Sequence, residues 1–302
     1  MKNNTSIVEF LTKRFADEKS AEAFFVEKRW GGRITCSYCA HTVVYKVNGS
    51  QPYKCAKMDC RRKFTAKTGT IMEGSHISIR MWLLAMYLMG SSRKGISSLE
   101  LARQLNVTQK TAWFMAQRIR EACNETAKLK GIVEVDETYV GGKERNRHMK
   151  DRYNSGRGVA NKIPVVGMRE RNGKTIGRVT DDTSRYEIIK LIKRNIEPNS
   201  LVFTDDHASY EGVMVRGYTH RVVKHSQRQY VDGIAHTNGI ESVWAVLKRG
   251  LYGTYHHVSH KHLARYVNEF CFRLNNCGTI PFIEAVCVGA SGNALHYKKL
   301  TQ

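Results

Sequence analysis

Three acids far apart in the chain are of a type and placement that could share one site. VEVDETYVGG (133–142) sets Asp136 among Val133, Val135, Tyr139 and Val140, the pattern of a strand entering a core. PNSLVFTDDHASY (198–210) reads as a turn, a short buried strand over 201–204, and then Asp205-Asp206. An acid just past a buried strand end is well placed for a site. AHTNGIESVWAVLKRG (235–250) carries Ile240, Val243, Trp244 and Leu247 at helical spacing. Glu241 lies beside that stripe near the helix start, and Lys248 falls two turns later on the same side. Any one of these acids alone is more often an inert surface carboxylate. Three of them in one alternating region of a very basic chain weigh more. Brought together without cations, they would repel and raise one another's pKa. Two Mg²⁺ ions, or Mn²⁺ in their place, would remove that cost. Hard oxygen ligands suit magnesium, and two ions about 3.5–4 Å apart clamp the attacking and leaving oxygens of a phosphodiester. Such a site needs no protein nucleophile, so Tyr139 reads as a packing or DNA-stacking residue.

A second constellation is local. Four of the eight cysteines fall as Cys36-x2-Cys39-x15-Cys55-x4-Cys60. Two knuckles of paired thiols separated by a hairpin-sized spacer can close a tetrahedron around one Zn²⁺. With all four positions taken by thiolates there is no open position for water, so this zinc is expected to be structural. The competing readings are buried free thiols or disulfides, and a reducing compartment argues against the latter. Cys123, Cys271, Cys277 and Cys287 lack ligand spacing and read as packing residues. TVVYKV and PYKC read as ribbon strands joined through Asn48-Gly49. The following CRRKF adds Arg61, Arg62 and Lys63 as a phosphate-contacting surface.

The elements that must position these groups separate into segments. Residues 1–30 are expected to be helical, from Ile7, Phe10, Leu11 and Phe15 at helical spacing. Residues 31–70 form the cysteine module, and 76–130 are helical. Within them, GISSLELARQLNVTQKTAWFMAQRIREAC (95–123) has helix-turn-helix character, capped at Ser97 or Ser98 and again at Thr108. The second helix could lie in a major groove with Gln109, Lys110 and Thr111 facing bases; the alternative is a packed αα-hairpin. From 131 to about 280 strands and helices alternate. KIPVVGMRER and KTIGRVT form a hairpin about Asn172-Gly173. TSRYEIIKLIKRNI (183–196) is an amphipathic helix, and HRVVKH (220–225) a further strand. The order is consistent with one sheet carrying Asp136 on its first strand, Asp205 after a later one, and Glu241 on a packing helix. The polar stretch 143–158 reads as a loop, and 281–302 as a tail.

Composition bounds the partner. The chain has 302 residues, with 49 Lys+Arg against 27 Asp+Glu and a net charge of +22. Basic residues are spread along the whole length, which points to a polyanion, and nucleic acid is the obvious one. No apolar run is long enough to span a bilayer, and Glu9, Lys13, Arg14 and Asp17 interrupt any leader-like pattern. The expected compartment is reducing: cytoplasmic and nucleoid-associated, with no membrane partner.

VEVDETYVGGK (133–143), GRG (156–158) with KIPVVGMRER (162–171), TDDHASY (204–210), HTNGIESVWAVLKRG (236–250) and YHHVSHKHLARYVNEFCFRLNN (255–276), behind the cysteine module and helix-turn-helix, resemble one known family. It is the DDE transposases of the bacterial insertion sequences related to the Merlin elements. The resemblance implies an α+β multidomain fold: a small zinc ribbon plus helix-turn-helix, then a ribonuclease-H-like α/β catalytic domain with a mixed sheet. It matches Asp136, Asp205 and Glu241 to the catalytic acids. Some relatives use asparagine in the third role, which makes Asn238 the reserve candidate or a residue orienting Glu241. Many relatives carry glycine at the position of Asp206. Lys248 matches the basic residue after the third acid, expected to contact DNA with Arg249. His236 is expected to hydrogen-bond site groups. The implied activity is cleavage at the ends of an insertion sequence and joining to target DNA. The partners are then double-stranded DNA and at least one further copy of the chain. The alternatives are a non-catalytic DNA-binding protein and a nuclease that stops at hydrolysis.

Overall fold

The computed structural model describes residues 5–142, 162–205, 210, 217–223, 237–292, 295 and 297–301. The chain forms two compact units, Met1–Asn124 with Asn276–Gln302, and Glu125–Asn275.

The first unit opens with a short helix α1 (Ile7–Glu9) that runs into a π turn, then α2 (Glu18–Trp30). Three short strands, β1 (Val44–Lys46), β2 (Tyr53–Cys55) and β3 (Lys63–Phe64), form an antiparallel ribbon in the order β1-β2-β3. Helices α3 (Ile79–Ser91), α4 (Ser98–Leu105) and α5 (Gln109–Ala122) follow. Ser78, Ser97 and Thr108 each cap one of them by accepting a backbone N–H. Asn106, with φ 52°, closes α4 in the left-handed region and sets the turn before α5. The helical expectation over 76–130 holds to Ala122 and stops there, with Cys123 as the cap.

The second unit holds one five-stranded sheet. Its strands are β4 (Ile132–Val140), β5 (Ile163–Glu170), β6 (Thr175–Val179), β7 (Leu201–Asp205) and β8 (Thr219–Val223), ordered β6-β5-β4-β7-β8. The first three are antiparallel; β4, β7 and β8 run parallel. This mixed sheet in one unit and a four-cysteine ribbon in the other make the α+β arrangement expected from the sequence, and the sheet is consistent with a ribonuclease-H-like domain. Helix α6 (Arg185–Asn195) joins β6 to β7 and covers one face with Ile188 and Ile192 against Val133, Val135, Val166 and Val202. Helices α7 (Asn238–Gly250) and α8 (His260–Asn275) cover the other, where Ile240, Val243, Trp244, Val267 and Phe270 meet Val140 and Val165. The central strands are therefore buried on both faces.

The carboxy-terminal stretch returns to the first unit. The segment read as a tail contains most of α9 (Thr279–Gly289), whose Phe282, Ile283, Val286 and Cys287 are buried, and α9 packs against α2 and α3. Its run TIPFIEAVCVG is apolar enough to need such cover. A last helix, α10, spans Tyr297–Thr301.

Candidate active site and cysteine cluster

Strand alternation decides which residues of β4 can meet. Val133 and Val135 belong to the core under α6, while Val140 belongs to the core under α7 and α8. With a period of two, Glu134, Asp136, Thr138 and Val140 share the α7 side. The hydrogen bonds agree. Trp244 of α7 donates its indole N–H to Asp136 Oδ2 at 3.0 Å, and the Ile240 backbone N–H donates to Glu134 Oε2 at 3.0 Å.

Strand pairing brings up the second acid. β4 and β7 pair in parallel with Glu134 opposite Phe203. The ladder ends there; two residues on, Asp136 of β4 and Asp205, the last residue of β7, fall on the same face by strand alternation, and the charge of Asp205 reaches Asp136. The third acid, Glu241, sits in the first turn of α7, three residues before Trp244 and so on a neighbouring position of the same helix surface. Thr237 donates its hydroxyl to Glu241 Oε1 at 3.3 Å. The three acids thus face one side of the sheet. Burial pushes the Asp136 carboxyl up to about 6, with the charge of Asp205 and then that of Glu241 adding to it. The Glu137 N–H and the Trp244 indole act in the opposite direction.

Carboxylates that sequence reasoning did not single out frame this group. Glu134 is 2% exposed and pairs with Arg171, 3.3 Å away. Glu137 points to the α6 side, where it accepts the buried Tyr210 hydroxyl. Burial, then the charge of Glu137, holds that phenol well above its ordinary pKa. The alternation of VEVDE was a usable signal, because it puts Glu134 and Asp136 on one face. Tyr139, considered as a nucleophile and set aside, has its hydroxyl 3.5 Å from that of Thr183.

Of the reserve candidates, Asn238 is the exposed first residue of α7. Lys248 and Arg249 lie in its last turn, Lys248 partly buried and Arg249 exposed. His236 and Asp206 lie outside the described residues.

The cysteine cluster is built differently. The thiol sulfurs of Cys36, Cys39, Cys55 and Cys60 lie within 4.8 Å of one another. Among the described residues this is the one set of three or more His, Cys, Asp or Glu side chains drawn so close. The three acids are spaced more widely. A four-sulfur tetrahedral donor set suits zinc and leaves no open position. Beside it, Arg61, Arg62 and Lys63 are exposed, with Arg62 stacked 4.9 Å over the Tyr38 ring. On α5, Gln109 donates to Ser98 Oγ at 2.9 Å, Lys110 lies 4.8 Å over the Tyr297 ring, and Thr111 donates its N–H to the Thr108 cap.

Residues 128–275 match the ISXO2-like transposase domain, and residues 16–63 match the transposase zinc-ribbon domain. The chain is 30% identical over 277 residues to an uncharacterized protein in transposable element ISH50 of Halobacterium salinarum, which covers 86% of this chain and 92% of that protein. It is 28% identical over 98 residues to an uncharacterized transposase-like protein of Haemophilus influenzae, covering 32% of this chain and 78% of that relative. These domain matches, a zinc ribbon ahead of a transposase domain, make the chain a transposase. The chain belongs to the IS1595 family of transposases.

Proposed function

We propose that this transposase binds the ends of its insertion sequence as double-stranded DNA. It then catalyses Mg²⁺-dependent phosphodiester hydrolysis and strand transfer through Asp136, Asp205 and Glu241. The observation that carries the reading is the convergence on one face of the sheet. The parallel β4–β7 pairing ends two residues short of Asp136 and Asp205, which alternation turns to one face, and the Trp244 bond ties Asp136 to the helix surface that bears Glu241.

The donor set fits hard divalent ions. All three groups are oxygen ligands, and burial, then the charges of Asp205 and Glu241, raise the Asp136 carboxyl, a cost that bound cations would offset. Two bound Mg²⁺ ions would activate the attacking oxygen and stabilise the leaving one. The residues themselves orient and exclude. Trp244 fixes the rotamer of Asp136 and walls it with an apolar ring. Thr237 steadies Glu241, and Asn238 stands ready at the helix start as an alternative third ligand. Lys248 and Arg249, two turns along α7, are placed to hold backbone phosphate.

The first unit supplies recognition in this reading. One structural zinc holds the ribbon through Cys36, Cys39, Cys55 and Cys60. Arg61, Arg62 and Lys63 contact phosphate, and the start of α5 with Gln109, Lys110 and Thr111 reads bases as a helix-turn-helix. The net charge of +22 supports a DNA partner. Holding two ends together requires at least a dimer in the DNA complex. The test is a plasmid-joining assay with pre-cut ends. Joined product supports strand transfer, cleavage alone reduces the protein to a nuclease, and neither activity leaves a DNA-binding protein.

A further inference from the structure

Helix α7 begins without a cap of its own. Its N-cap residue Thr237 makes no side-chain bond to the helix backbone, and its hydroxyl goes to Glu241 instead. The free N–H groups of a first helical turn need acceptors when buried. Glu134 supplies one from another element. Its two oxygens divide the work: Oε1 faces the Arg171 guanidinium at 3.3–3.4 Å, and Oε2 accepts the Ile240 N–H. Arg171 itself lies 5.1 Å over the Phe203 ring of β7. From the far side, Arg169 donates to the Gly239 carbonyl at 2.7 Å and to Ser242 Oγ at 3.2 Å. A methyl group at position 239 would sit 2.5 Å from Glu134 Oε2, so a side chain there would displace the Glu134 carboxylate from this contact.

We propose that Glu134 is a positioning residue for catalysis. By capping α7 across the sheet it fixes where Glu241 stands relative to Asp136 and Asp205. The placement follows from two spacings. Glu134 precedes Asp136 by two residues on the same face of β4, and the N–H it accepts, that of Ile240, immediately precedes Glu241. One carboxylate thereby sets the first and third acids in register, with Arg171 leaning on the strand that bears the second. Glu134 does not touch the reacting atoms. This inference rests on the active site proposed above.

The experiment uses the full chain with Glu134→Gln and Gly239→Ala, and Asp136→Ala as control. Gln keeps the shape but loses the charge facing Arg171, and Ala at 239 pushes the carboxylate away without altering any charge. Three readouts are taken: amide hydrogen exchange over 237–250, Mn²⁺ affinity by calorimetry without DNA, and joining of pre-cut ends. Exchange in 237–250 should quicken while the rest of the sheet stays protected. Mn²⁺ affinity should fall about ten-fold and joining 10–100-fold in kcat, the usual scale for groups that orient metal ligands, with KM for DNA ends unchanged. Native exchange in both variants would overturn the clamp. Loosened exchange with native Mn²⁺ affinity and joining would reduce Glu134 to a structural role, and would also overturn it. Should Glu134→Gln fail to fold, the same readouts on Gly239→Ala decide. If Asp136→Ala itself leaves Mn²⁺ affinity unchanged, the active-site reading is what fails, and the exchange data still judge the clamp.

Discussion

The cysteine cluster and the acid cluster gather their ligands in opposite ways. The four thiols come from one short segment, and a three-stranded ribbon is enough to close them within 4.8 Å. The three acids come from a strand, the end of a second strand and a helix, and they stay further apart. The difference matches their tasks. A ligand set that must hold one ion permanently can be wound locally and sealed. On the proposed reading, a site that admits DNA would be held open by rigid elements, and burial with the charges of its neighbours would burden Asp136 until cations arrive. On the same reading, the ribbon would be stabilised by the zinc it binds, whereas the acid site would be a cost that the surrounding fold carries.

The sharpest way to break this contrast is to remove one member from each side. Asp136→Ala is expected to abolish cleavage and joining, by about three orders of magnitude or more, while binding to element ends stays within about two-fold. A parallel loss of binding, measured by gel shift, would make Asp136 a structural residue. Cys55→Ser is expected to do the reverse. A structural zinc contributes folding free energy directly, so the variant should release zinc and lose specific end binding. A zinc-specific chromophore and a competition gel shift check both halves. Full specific binding by the metal-free variant would separate recognition from the ribbon.

The two regions were also unequally legible. Cys-x2-Cys and Cys-x4-Cys announce their partners by spacing, so the ribbon could be read from one stretch of chain. The sheet, α6 and α7 followed from periodicity and from the Asn172-Gly173 turn. Asp136, Asp205 and Glu241 were each ambiguous alone, because the pairing that brings Asp136 and Asp205 to one face is a property of the folded sheet. Glu134 was passed over for a physical reason. VEVDETYV alternates like a strand with one wet face, yet α7 and α8 cover that face. Its polar positions are therefore covered by helices and not open to solvent, as the proposed site requires. The packed helix α9 was missed because a short apolar run near a chain end carries no amphipathic stripe to declare it.

A smaller effect tests how tightly the fold holds the acid side. Gly167 pairs with Asp136 across β4 and β5, and a Cβ there would lie 2.3 Å from the Trp244 ring. Gly167→Ala should therefore push away the indole that orients Asp136. Overpacking of this kind costs about 1–3 kcal/mol, readable in urea unfolding. Joining should fall further than the loss of stability explains when assayed well below the melting temperature. A variant that is destabilised but fully active would show that the Trp244 bond does not orient Asp136.

The smallest expected effect concerns the cost itself. In magnesium-free protein the Asp136 carboxyl titrates at about 6 when folded, against an ordinary value of 3.8. Because the folded value is the higher one, the folded state gains from holding that proton. The gain is complete below pH 4, fades as pH rises towards 6, and is gone above it. The amide introduced by Asp136→Asn does not titrate, and its oxygen can still accept the Trp244 N–H. Asp136→Asn should thus stabilise the magnesium-free protein at pH 8 by about 1–3 kcal/mol, with the difference shrinking towards zero near pH 4. Added Mg²⁺ should raise the melting temperature of the native chain and leave that of Asp136→Asn nearly unmoved. Equal melting curves for the two proteins across this pH range would mean that the acids do not burden the fold, and the contrast with the ribbon would lose its energetic basis.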